Sequence, residues 1–162
     1  CYEVPVGFKW VSAKMSETGA IIGGESSGGM AVRGHISGKD GIYAAALLVE
    51  MLAVTGKSVS ELFAEITAQY GNPCWAEADF RMTPERKAEL QKLLFTEKRV
   101  PEFGTAVDHI SLEDGCKVYF KDGSWVICRF SGTEPLLRMA AEADEQAVAD
   151  GYIKAFRDML EL

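Results

Sequence analysis

The stretch from Gly41 to Val54 restricts the fold of this chain most, because its run Ala44-Ala45-Ala46-Leu47-Leu48-Val49 is apolar nearly all round. Asp40 stands before it as a helix-capping residue, so the stretch is expected to be a helix. A helix apolar on every side needs cover on more than one side, as the layers of an α/β domain provide. Ser58 or Ser60 caps a second helix that ends near Tyr70-Gly71. Ahead of this pair, Val4-Pro5-Val6-Gly7 reads as the end of a strand and Phe8 to Met15 as a short amphipathic helix. Ala20-Ile21-Ile22-Gly23 reads as a strand running into a loop. Two short strands cannot cover such a helix, so the rest of the sheet is expected in sequence outside this chain. Cys1 in place of a methionine agrees with a piece of a longer protein.

The pattern changes between Gly71-Asn72-Pro73 and Thr83-Pro84. Residues 1–75 are expected to form the end of an α/β domain, residues 76–83 a linker, and residues 84–162 a complete small domain. Thr83 as N-cap with Pro84 in the first helical position starts a helix through Leu94, and Asp144 starts the last helix, from Glu145 to Leu160. Between them, Lys117-Val118-Tyr119-Phe120 and Trp125-Val126-Ile127-Cys128 read as strands joined by the turn pair Asp122-Gly123, with a further strand from Leu137 to Ala143. Residues 96–115 are the least regular and are expected to be a long loop ending in the Glu113-Asp114-Gly115 turn. The expected fold class is thus a partial, layered α/β domain followed by a small α+β domain whose antiparallel sheet is packed by helices.

With 162 residues, 48% of them hydrophobic and 25% charged, the chain can bury a real core in one or two domains. A net charge of −7 with no basic block argues against nucleic acid as a partner. No apolar run reaches membrane-spanning length, and no signal peptide pattern opens the chain, so neither a membrane nor secretion is expected. Cys1, Cys74, Cys116 and Cys128 form no CxxC pair and are expected to be reduced thiols in a cytoplasmic protein. Cys128 fits a small apolar packing role, with no nearby histidine to ionise it.

Two loops carry the chemistry. In Arg129-Phe130-Ser131-Gly132-Thr133-Glu134-Pro135-Leu136-Leu137-Arg138, a tight Ser-Gly-Thr loop lies between strands. Gly132 lets backbone N–H groups converge, the two hydroxyls add donors and the flanking arginines add fixed forks, which together suit a phosphate. An ordinary glycine-containing turn between two surface arginines is the other reading. In Gly23-Gly24-Glu25-Ser26-Ser27-Gly28-Gly29, glycines leave Glu25 and Ser27 projecting from one side of an extended stretch, where carboxylate and hydroxyl suit sugar hydroxyls. A flexible glycine-rich linker is the alternative. Neither a G-x-G-x-x-G fingerprint nor a Gly-Lys-Ser/Thr phosphate loop is present.

Gly24-Glu25-Ser26-Ser27-Gly28-Gly29, Lys39-Asp40-Gly41 and Arg129-Phe130-Ser131-Gly132-Thr133-Glu134-Pro135 occur in the order and approximate spacing of the α-D-phosphohexomutases. The chain resembles the C-terminal part of a bacterial phosphoglucomutase/phosphomannomutase: the end of the third domain and all of the fourth. Val4-Pro5-Val6-Gly7-Phe8-Lys9-Trp10 resembles the segment before the sugar loop and leans toward the phosphoglucomutase branch. The resemblance implies that Glu25 and Ser27 hold sugar hydroxyls 3 and 4, while Arg129, Ser131, Gly132 and Thr133 grip the phosphate that is not reacting. Arg138 is its second arginine and Lys39 a lysine near the phosphate or the active-site wall. His35 lies at a matching distance before it, as a candidate catalytic group or a solvated loop residue, and His109 is taken as structural or solvated.

Ser26 departs from relatives with another acidic or polar residue there, and Gly29 from those with a histidine. The family's phosphoserine loop and its aspartate-rich magnesium loop do not occur in this sequence. The resemblance therefore implies an intramolecular phosphotransferase parent with magnesium ligands outside this chain and a hexose 1,6-bisphosphate as intermediate and activator. Its expected partners are a hexose phosphate and the parent's N-terminal domains, with self-association of the piece through exposed apolar surface. The chain alone is expected to be inert, and a stand-alone phosphosugar-binding module, or a phosphomannomutase or phosphoglucosamine mutase parent, is the alternative.

Overall fold

A computed structural model describes residues 1–132 and 134–162. The chain divides into two compact units, Cys1–Gly71 and Asn72–Leu162.

In the first unit, helix α1 (Phe8–Thr18) ends at Gly19, whose N–H returns to the Met15 carbonyl. Strands β1 (Ile22–Gly24) and β2 (Met30–Val32) form an antiparallel hairpin with Gly23 opposite Ala31. Helix α2 (Gly41–Thr55) is capped by Asp40, whose carboxylate accepts from the backbone N–H groups of Ile42 and Tyr43. Helix α3 (Val59–Tyr70) starts on a capping box, with Ser58 bonded to the Glu61 backbone and Glu61 returning to the Ser58 backbone. That resolves the choice of cap in favour of Ser58. Val4 to Gly7 forms no strand, since no neighbouring strand among the described residues pairs with it. Val11 and Ala31 are the buried hydrophobic residues among those described in this unit, and α2 leaves Ile42, Val49 and Val54 exposed.

The second unit is an antiparallel sheet covered by helices. Its strands are β3 (Cys74–Arg81), β4 (Val107–Ser111), β5 (Cys116–Phe120), β6 (Trp125–Phe130) and β7 (Leu136–Ala143), in the order β3-β7-β6-β5-β4. Alternation sets the layers: Val118, Val126, Cys128, Met139 and Ala141 point into the core, where Leu90, Leu94, Phe156 and Leu160 cover them. The covering helices are α4 (Pro84–Gln91), which runs on as a π-helical turn at Lys92–Thr96, and α5 (Gln146–Leu160).

The β5–β6 turn forms at the expected Asp122-Gly123 pair. Asp122 accepts from the Ser124 backbone at 3.0 Å and from its hydroxyl at 2.5 Å, which holds the Asp122 carboxyl below its ordinary range. Ser124 in turn bonds the Tyr152 hydroxyl at 3.0 Å, tying the turn to α5.

Further sequence expectations differ from the fold: the last helix starts at Gln146 behind Glu145 with no side-chain cap bond, so Asp144 does not cap it. Residues 76–81, expected as linker, belong to β3, which pairs with β7 along its whole length. The compact unit Asn72–Leu162 includes this strand. The expected loop 96–115 contains β4, an edge strand with a register shift between Val107 and His109. The helix expected through Leu94 changes to a π turn after Gln91.

Candidate functional site

The residues singled out in the sequence gather at two places, one in each unit. In the first unit they lie on the β1–β2 hairpin and the start of α2. The stretch after β1 is a turn, not the extended segment expected: Glu25 N–H donates to the Gly29 carbonyl and Gly28 N–H to the Glu25 carbonyl, both at 2.9 Å. Ser26, Ser27 and Gly28 thus form a three-residue hairpin loop, closed by Gly28 at φ +88°, a conformation L side chains resist. Ser27 is exposed on this loop, and Glu25 lies at its base.

Lys39 reaches across to Glu25, its ammonium donating to Oε2 at 3.0 Å, and also lies 5.4 Å from the Phe8 ring centre. The Glu25 side chain is 19% exposed, so this ion pair is partly shielded from solvent. Gly29 makes the crossing possible. A Cβ at position 29 would lie 2.3 Å from the Lys39 Cδ and 3.1 Å from the Glu25 carboxylate, so the space a side chain would take belongs to the lysine stem.

His35 is engaged locally. Its Nε2 is 2.9 Å from Asp40 Oδ2, and its ring stacks on Tyr43 at 4.0 Å. The Asp40 carboxyl is held below its ordinary value, first by this hydrogen bond and then by the Tyr43 N–H. In this arrangement His35 braces the cap of α2. A cleft of about 210 Å3 opens beside it, lined by Ser12, Ser16, Arg33 and Ser37 among others.

In the second unit the candidate residues lie on the β6–β7 connection. Arg129 and Arg138 are direct cross-strand partners, so both side chains belong to one face of the sheet with Cβ atoms roughly 4.5–5.5 Å apart. Like charges directly opposite destabilise a sheet, and an anion between the two guanidinium groups would relieve the repulsion while accepting their forked donors. Asp79 is the cross-strand partner of Arg138 on β3. Gly115, at φ +108°, passes directly beneath Arg129: a Cβ there would lie 2.6 Å from the Cys128 carbonyl oxygen and 3.1 Å from the Arg129 Cα.

The loop is closed by its own bonds. Ser131 N–H donates to the Leu136 carbonyl at 2.8 Å, the Ser131 hydroxyl accepts from the Glu134 N–H at 3.2 Å, and Met82 N–H holds the Pro135 carbonyl at 3.0 Å. Gly132 is exposed at the tip, and Thr133 lies outside the described residues. Lys87, which the sequence reading did not single out, donates to the carbonyls of Ser131 at 2.7 Å and Glu134 at 3.3 Å. No local pattern marks it, since its partners lie 44 and 47 positions away in the chain. His109 pairs with Asp108 and stacks on Tyr119, on the edge strand β4. Among the described residues no group of three His, Cys, Asp or Glu side chains is placed to hold a metal ion.

The chain is thus an α/β unit followed by an α+β unit with an antiparallel sheet. Residues 1–70 match the phosphoglucomutase/phosphomannomutase α/β/α domain III, and residues 78–159 match the C-terminal domain of the same proteins. The chain belongs to the phosphoglucomutase/phosphomannomutase family. It is 34% identical to a phosphoglucomutase/phosphomannomutase of Thermococcus kodakarensis over 96% of this chain and 32% of the relative. To a phosphoglucosamine mutase of Bacillus mycoides it is 30% identical, over 91% of this chain and 29% of the relative. The solved structure of a phosphoglucomutase/phosphomannomutase family protein from Burkholderia thailandensis superposes with a TM-score of 0.68 at 25% identity, covering 96% of this chain and 31% of that one. The chain spans about a third of the length of the curated relatives it matches.

Proposed function

We propose that this chain supplies substrate recognition to a phosphohexomutase, a phosphotransferase that interconverts a hexose 1-phosphate and a hexose 6-phosphate through a bisphosphate. Glu25 and Ser27 bind sugar hydroxyls; Arg129, Ser131, Gly132, Thr133 and Arg138 hold the phosphate that is not reacting. Lys39 orients Glu25 and adds positive charge beside the sugar loop. The observation that carries this reading is the placement of Arg129 opposite Arg138 at the mouth of the Ser-Gly-Thr loop, a like-charge pair that an anion stabilises. Phosphoryl transfer belongs to parts of the parent outside these residues.

The relatives carry glucosamine and mannose names as well as glucose, which favours a phosphomannomutase or phosphoglucosamine mutase parent at least as well as the phosphoglucomutase suggested by the opening segment. The substrate class is therefore a hexose or hexosamine phosphate. Titration with glucose 6-phosphate, glucosamine 6-phosphate and sulfate, followed through the backbone amides of Ser131 and Gly132, tests the reading. All three anions are expected to move both amides, and no movement at millimolar concentration excludes phosphate binding by this loop.

A further inference from the structure

We infer that Lys87 is a positioning residue of the phosphate loop, one that aims the loop's backbone donors without touching the ligand. The inference rests on the proposed phosphate-binding role of the loop and extends it to a residue of α4.

The geometry begins with the junction of β3 and α4. Met82 N–H on the Pro135 carbonyl continues the β3–β7 ladder by one more bond, so the end of the loop is fastened to the end of β3. Thr83 then caps α4, accepting from the Arg86 N–H, and Pro84 opens the helix. Lys87 follows one turn in, half-buried, and its ammonium meets two carbonyl oxygens of the loop, those of Ser131 and Glu134.

The peptide bond turns this contact into an orientation. In a planar trans peptide the carbonyl and the following N–H point in opposite directions. With the Ser131 carbonyl drawn onto Lys87, the Gly132 N–H points away from α4. Peptide planarity thus converts a cation below the loop into a hydrogen-bond donor above it. The Glu134 carbonyl is held the same way, but Pro135 follows and has no N–H, so the effect concentrates on Gly132.

The placement of the lysine agrees. An ammonium drawn partly out of water needs acceptors to offset its lost hydration. The two loop carbonyls are those acceptors, and such charge-assisted bonds are the stronger kind. Lys87 therefore differs in role from Arg129 and Arg138: the arginines are set to meet the anion, whereas Lys87 works through the backbone.

The test uses the whole 162-residue chain with inorganic phosphate as the probe. Lys87→Met is expected to weaken phosphate binding by about fivefold or more and to shift the Gly132 amide resonance before any phosphate is added. Lys87→Arg, which keeps the donors, is expected to restore both, and the loss in Lys87→Met is expected to persist at 0.5 M sodium chloride, where a general charge effect is screened at about a 4 Å Debye length. Lys87→Gln serves as the second variant should Lys87→Met unfold. A variant that binds phosphate as the parent chain does, with an unmoved Gly132 amide, overturns the inference and leaves the phosphate site standing. A loss that disappears at high salt also overturns it, in favour of a simple electrostatic role. A parent chain that does not bind phosphate overturns the functional reading, and this inference with it.

Discussion

At the scale of single residues, the two arginines and the glutamate make separable contributions. Arg129→Ala is expected to cost roughly 1.5–3 kcal/mol of phosphosugar binding, the usual scale for a hydrogen bond to a charged group, measurable by calorimetric titration. Glu25→Gln should weaken binding of a hexose phosphate more than that of inorganic phosphate, because it alters hydroxyl recognition and spares the anion loop. Equal losses for both ligands would contradict that division. Asp40 gives a pH dependence with a definite sign. Its folded carboxyl lies below the ordinary value, so its stabilisation is present above that value and is lost as pH falls through the lower, folded one. Helicity followed from neutral to acid pH should show that loss, and Asp40→Asn, which keeps the cap but not the charge facing His35, should flatten it. Much of this was legible in the sequence because Glu25, Arg129 and Asp40 sit in short local patterns. The Lys39–Glu25 pair and the Lys87–Ser131 bond were not, since they join residues 14 and 44 positions apart.

At the scale of elements, three of the four expected helix caps and the β5–β6 turn were readable, while the Asp144 cap and the sheet edges were not. Asp40, Ser58 and Thr83 each accept the backbone bond their residue type suggests. Thr83→Ala is expected to destabilise the second unit by about 1 kcal/mol, the typical value of a lost cap, read as a lower urea midpoint. Strand β3 does alternate, with Cys74, Ala76, Ala78 and Phe80 on the core side, but small alanines carry little hydrophobic signal and Glu77 and Asp79 disguise it. Strand β4 is mostly exposed and bulged, so it lacks the clean alternation that marks a half-buried strand. Strand β2 has only three residues. Gly115 is the element-level counterpart of Arg129. Gly115→Ala forces a Cβ against the Cys128 carbonyl at a positive φ and is expected to cost about 1–3 kcal/mol, as overpacking does, with weaker phosphate binding as Arg129 is displaced.

At the scale of the whole molecule, the two units are unequal. The second holds one continuous core around Leu94, Val126, Met139 and Phe156. In the first, the described core residues are Val11 and Ala31, while Ile42, Val49, Val54 and Phe63 remain exposed. Residues 72–162 made alone are expected to unfold in one cooperative urea transition followed by Trp75 and Trp125 fluorescence, whereas residues 1–71 alone should bind a hydrophobic dye without such a transition. Among the described residues, no single helix is long and apolar enough to cross a membrane. The two-part organisation was legible from the change in pattern near Pro73. The joining segment itself is strand β3, whose small core-side alanines leave little pattern to read.

The sheet also keeps a clock. Cys116 and Cys128 are cross-strand partners with no exposed surface, and burial pushes the Cys116 thiol up to about 11 and that of Cys128 well above its ordinary value. Both stay protonated and out of reach at neutral pH while the strands are closed, whereas Cys1 is exposed and Cys74 partly so. A thiol reagent should therefore label the chain in two waves. The delay before the second wave measures how often the layer carrying Arg129 comes apart, a time that no ligand titration reports.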